Sequence, residues 1–179
     1  MTLEEAKQTL DIVIPATWDK WTNKRILTLH PLIRYAFACA VIDCEKRLAE
    51  RIRLTCGGRS FDDQDRLYGF SRTEQMLETR GVNPKYAKPN EKWRTNAKGG
   101  ESYHNYFLAG DICIISEDGK SADFNITPEI ARVFKKYGFE WLYDRMGKDK
   151  PHFQITFGYN YSQLKALQTD VNGFKIFQQ

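Results

Sequence analysis

Hydrophobic positions recur along this chain with two periods, and the period changes wherever Gly, Pro, Asn or Asp intervene. After Pro31, the residues Leu32, Ile33, Ala36, Phe37, Ala40, Val41, Cys44 and Leu48 follow a 3.6-residue rhythm. That rhythm predicts one long amphipathic helix with a single buried face. Thr127 and Pro128 open a second helix, with Ile130, Val133, Phe134 and Tyr137 inward, and Gly138 closes it. Shorter helices are predicted over 2–10, where Thr2 and Glu5 have capping-box spacing, and from Ser60 and Asp63 through Gln64 to about Tyr68. Two more are predicted over 73–80, ahead of Gly81, and over 162–169. Short runs at 51–56, 111–116, 140–143 and 152–157 predict strands, with a turn at 117–120. Residues 15–28, with Pro15, Trp18 and Trp21, predict an irregular arm packed by its aromatics. Residues 82–101 predict a long loop holding at most a short strand near 93–96. Helices followed by a small antiparallel sheet define an α+β class.

The chain has 179 residues, 41% of them hydrophobic, enough for one domain with a sizeable core. Net charge is +4, from 27 basic and 23 acidic residues that are well mixed. Such a mild excess describes a solvated surface better than a nucleic-acid footprint, and no nucleic-acid partner is expected. Cys39, Cys44, Cys56 and Cys113 show no CxxC spacing, which speaks against a zinc knuckle and for a reducing compartment of synthesis. No stretch approaches 18 apolar residues, and the first ten are acidic, so neither membrane insertion nor a signal peptide is expected.

The candidate chemistry lies in SYHNYFLAGD (102–111) and DKPHFQ (149–154). His104, Asp111 and His152 together form a two-histidine, one-carboxylate set suited to zinc, with Asp149 placed to act as a base. In a strand, His152, Gln154 and Thr156 share one face, and an adjacent antiparallel strand beginning at Asp111 would set the two ligands side by side. The small Ala109 and Gly110 would leave room for His104 to approach. Each residue also has a plainer reading. His152 alone suits a hydrogen-bonded core histidine, and Asp149 suits a turn over 147–151. Asp111 is harder to explain that way, because a buried carboxylate needs a partner or a metal. His30, ahead of Pro31, reads as a residue at a helix start with no catalytic role.

These motifs resemble the zinc D,D-/L,D-peptidase family, which cleaves peptidoglycan stem peptides. The family includes vancomycin-resistance D-Ala-D-Ala dipeptidases and phage L-alanyl-D-glutamate endopeptidases. Ser102, His104, Ala109 and Asp111 match its SxHxxGxAxD hallmark, and DKPHFQ matches the phage endolysin form of its last motif. RLTCGGRSFDDQDRLYGFSRT (53–73), LHPLIRYA (29–36), TNAKGGESYHN (95–105) and GFEW (138–141) resemble its other blocks. The resemblance implies a hedgehog/D,D-peptidase-like fold, with zinc held by His104, Asp111 and His152. It implies that Asp149 takes a proton from the attacking water and passes it to the leaving amine. It gives Arg59 the carbonyl oxygen or a substrate carboxylate, and Ser102 and Gln64 a part in shaping the substrate pocket. The expected division is an N-terminal helical arm over 1–24 and a catalytic domain over 25–179, with no separate wall-binding domain. The expected activity is hydrolysis of the L-Ala-D-Glu bond by a monomeric endolysin, made in the host cytoplasm without a signal peptide and acting on the wall after release. The alternatives are a D,D-carboxypeptidase or dipeptidase of the same fold and a non-catalytic zinc-fold binding module. One position departs from the pattern: Phe107 stands where the family has glycine, a residue that permits unusual backbone angles.

Overall fold

The computed structural model describes residues 1–177 and divides them into two compact units. The first comprises residues 1–58 and 107–158, and the second comprises the remaining described residues.

The first unit is built on its long helix and sheet. α1 (Leu3–Lys7) carries the expected capping box of Thr2 and Glu5. α2 (Lys20–Ile26) forms inside the stretch expected to be irregular. The reason is Asp19, whose carboxylate accepts from the Thr22 amide and caps a helix too short to show a periodic pattern. α3 (Pro31–Leu48) is the predicted long helix, and His30 caps it, with Nδ1 accepting from the Leu32 amide.

The strands β1 (Ile52–Cys56), β2 (Ala109–Ile115), β3 (Ala122–Asp123), β4 (Glu140–Trp141) and β5 (His152–Gln154) make one antiparallel sheet. Its order is β1-β2-β5-β4, with β3 paired to β2. α4 (Phe61–Tyr68) and α5 (Glu74–Thr79) belong to the second unit, and α6 (Pro128–Lys136) is capped by Thr127 as predicted. α7 (Leu142–Met146) replaces the second half of the strand expected over 140–143. The strand expected over 152–157 stops at Gln154, and Phe157 turns to a positive φ of 49°. Phe37, Phe134, Phe139 and Phe153 pack ring against ring behind the sheet, with centroid separations of 4.5–5.7 Å. Gly110 belongs to this packing: a Cβ there would lie 2.8 Å from both Leu54 and Phe37.

In the second unit, α4 (Phe61–Tyr68) is capped by Ser60 and α5 (Glu74–Thr79) by Thr73. Their buried Tyr68 and Leu77 form a small core with Val82. Residues 82–101 are irregular apart from a 3-10 turn at Pro84–Tyr86 and an isolated bridge from Lys88 to Phe70, and no strand forms near 93–96. A second 3-10 turn spans Tyr103–Tyr106, and α8 (Tyr161–Ala166) follows.

Candidate metal centre

The alternating pattern of β2 and β5 has the consequence expected of it. Asp111 and His152 are register partners, and the His152 Nδ1 lies 3.1 Å from Asp111 Oδ1. The other face of the imidazole is fixed by Gln154, two residues on, whose Oε1 sits 3.0 Å from His152 Nε2. Gln154 is itself oriented, because its Nε2 donates to Glu140 Oε2 at 3.1 Å on β4. Thr156 Oγ1 donates to the second Glu140 oxygen at 3.0 Å.

This chain of bonds decides the tautomer. Glu140 is an acceptor, so Gln154 presents its NH2 to it and its carbonyl oxygen to His152. His152 therefore carries its proton on Nε2, and in the neutral ring Nδ1 is a lone pair aimed at a carboxylate oxygen. Two acceptors at 3.1 Å repel unless a proton or a metal cation lies between them. Donors bound tetrahedrally to zinc at about 2.0–2.1 Å are about 3.3 Å apart, so the spacing suits the ion. An imidazole braced from behind by an amide and a carboxylate is also the usual second layer of a zinc ligand.

The remaining candidates have distinct places. Asp149 is exposed, on the turn between α7 and β5, with a left-handed φ of 66° that Asp tolerates better than most residues. Its carbonyl accepts from the His152 amide at 3.4 Å. His104, in the second unit, is 3% exposed within its 3-10 turn, and its amide donates to Ser102 Oγ at 3.4 Å. The Arg59 amide donates to the His104 carbonyl at 3.0 Å, and Arg59 Nη1 donates to Gln64 Oε1 at 2.7 Å. Gln64 is 1% exposed and donates onward to the Ala97 carbonyl, which makes it a brace for Arg59 and the loop over 95–97. The room left by Gly110 is filled by Phe37 and Leu54, so it serves packing and not the approach of a histidine.

Sequence reasoning overlooked two residues. Glu140 lies in the GFEW block, but nothing in its spacing reveals that it orients Gln154. Cys56 is the register partner of Asp111, and its Sγ comes within 4.8 Å of an Asp111 carboxylate oxygen.

Residues 95–155 match the family described as D-alanyl-D-alanine carboxypeptidase, of the M15 peptidases. Over 139 residues the chain is 34% identical to the peptidoglycan L-alanyl-D-glutamate endopeptidase CwlK of Bacillus subtilis (strain 168), spanning 71% of this chain and 73% of that protein. The chain belongs to the M15 peptidase family. As an M15 peptidase it is a hydrolytic enzyme, and the matched segment contains His104, Asp111, Asp149 and His152. A solved structure, the L-Ala D-Glu endopeptidase ChiX of Serratia marcescens, aligns with 83% of this M15 chain and 96% of its own at a TM-score of 0.48 and 17% identity.

Proposed function

We propose that this M15 peptidase hydrolyses peptidoglycan stem peptides at the L-Ala-D-Glu bond, with a zinc ion held by Asp111, His152 and His104. The observation that supports the metal is the Asp111–His152 pair, whose facing acceptors call for a proton or a metal cation between them. His104 is the third ligand by its place in the SYHNYFLAGD motif. Two imidazoles and one carboxylate fit zinc chemically and leave a coordination position for substrate or water. Bound there, zinc lowers the pKa of a water and polarises a carbonyl. The chain's own groups do the rest. The Asp149 carboxylate accepts the proton of the attacking water and releases it to the departing amine. The Arg59 guanidinium, steadied by Gln64, binds the carbonyl oxygen or a substrate carboxylate and stabilises the charge that develops. Ser102 steadies the turn that bears His104.

The choice of bond is supported by the curated relative at 34% identity, whose name specifies L-alanyl-D-glutamate cleavage. An endolysin role, with synthesis as a monomer in a bacterial host's cytoplasm and action on the wall after release, completes the reading. A second reading, D-alanyl-D-alanine carboxypeptidase activity, is favoured by the description of the matching family.

Purified peptidoglycan incubated with the zinc-loaded protein is expected to yield new N-terminal D-glutamate, identified by mass spectrometry. Release of D-alanine alone would establish the second reading instead. Asp149→Asn, which keeps a side chain tolerant of the left-handed backbone, is expected to abolish turnover while zinc remains bound. Equal wall lysis by both proteins would sink the proton-transfer role.

A further inference from the structure

Cys56 lies outside the core that holds Cys44 and Cys113. Cys44 and Cys113 are buried, and burial pushes the thiols of Cys39, Cys44 and Cys113 upward, as far as about 12 for Cys44. Cys56 is only partly buried and ends β1. Regular pairing from Leu54 with Ile112 would set Thr55 opposite Asp111. Instead the register shifts between Leu54 and Cys56, and Cys56 opposes Asp111. The Thr55 hydroxyl, displaced by this bulge, donates to the Asp111 carbonyl at 2.9 Å. Directly opposed residues of an antiparallel pair project to the same face, so the bulge aims the thiol to the side of the Asp111 carboxylate. Sγ and a carboxylate oxygen lie within 4.8 Å, with the His152 Nδ1 3.1 Å beyond Asp111 Oδ1. A sulfur and a carboxylate oxygen thus approach each other from neighbouring strands, and the same carboxylate faces His152 on the next strand.

We propose that Cys56 is an additional, thiolate ligand to the metal that Asp111 and His152 bind, an inference that rests on the zinc reading above. Zinc takes thiolate sulfur at about 2.3 Å and carboxylate oxygen at about 2.0–2.2 Å, so an ion shared by both would replace the present contact of the thiol with the Gly57 carbonyl at 3.7 Å. The thiol loses its proton to solvent on binding. A thiolate in the set biases the site toward zinc, cobalt or cadmium and away from magnesium, calcium or manganese. It also fills a position that an all-imidazole-and-carboxylate site would leave open, so catalysis requires Cys56 to yield it or the metal to expand its coordination.

Cobalt(II) reports the ligand directly. The cobalt-loaded protein is expected to show visible d–d bands together with a near-ultraviolet thiolate-to-cobalt charge-transfer band, and Cys56→Ser to lose the second while keeping the first. A second measurement uses the unaltered chain: alkylation of Cys56 by iodoacetamide, mapped by mass spectrometry, is expected to slow at least tenfold when zinc is added. Visible bands without the charge-transfer band, or alkylation indifferent to zinc, would overturn the role of Cys56 and leave the metal site standing. Absence of any cobalt spectrum, with no zinc retained, would overturn both.

Discussion

Phe107 stands where the family pattern has glycine, yet its backbone keeps a φ of 62°, the left-handed angle for which glycine is suited. The departure is absorbed by a neighbour. A Cβ added to Gly58 would lie 2.1 Å from Phe107 Cδ1 and 2.4 Å from the Thr28 carbonyl, so the ring occupies space that Gly58 vacates. Gly58→Ala is therefore expected to cost about 1–3 kcal/mol in urea unfolding. Adding Phe107→Gly should recover part of that loss, and strict additivity in the double-mutant cycle would show that the two positions do not share this space. Gln154 is the second telling residue. Replacing it with Met keeps the volume but removes the acceptor that fixes His152. Zinc affinity measured by chelator competition is expected to fall about 10–100-fold. The candidate ligands were legible because their spacing survives in the motif. Glu140 and Cys56 were not, since one acts through another side chain and the other depends on a bulge.

Among the elements, those with a cap or a sustained period were readable in advance. Thr127 with Pro128, Ser60 with Asp63, and the run from Leu32 to Leu48 each announce a helix by chemistry local to it. α2 and α7 are too short to express a period, and what forms α2 is tertiary. Asp19 is 3% exposed and accepts from Arg53 Nε at 2.9 Å, while Thr22 Oγ1 accepts from the Leu54 amide. The helix cap is thus bolted to β1. Burial alone would raise the Asp19 carboxyl, but the bonds from Arg53 and Thr22 outweigh it and hold the group below its ordinary range. A depressed carboxylate contributes stability above its unfolded value of about 3.9, and that contribution fades as pH falls through the lower folded value. Asp19→Asn is expected to lose about 2 kcal/mol at neutral pH, modest for a buried pair because Arg53 remains 27% exposed. The gap from the unaltered protein should close in acid; a constant gap across pH would refute the ion-pair account.

For the whole molecule, a metal that binds only the folded chain adds to its stability, by about 4 kcal/mol at a thousandfold excess over Kd. Zinc is expected to raise Tm, a chelator to reverse the gain, and His152→Ala to abolish the response; calorimetry that shows the same Tm with and without chelator would count against the ligand assignment. No helix among the described residues is long and apolar enough to cross a membrane, in keeping with the hydropathy of the chain. The α+β class was legible at this scale because the helical periods and the short antiparallel strand runs are each distinct in the sequence, whereas the two-unit organisation was not, since it depends on contacts far apart in sequence. Trp141 gives the molecule a reporter of its own. It is 5% exposed, and its indole nitrogen donates to the Lys150 carbonyl at 2.7 Å, beside Asp149 and two residues before His152. Trp21 and Trp93, by contrast, are about half exposed. Trp18 is partly buried as well, so Trp141 is the most shielded of the four indoles, and the most blue-shifted emission is expected to arise next to the proposed base, where metal uptake should change it without any label.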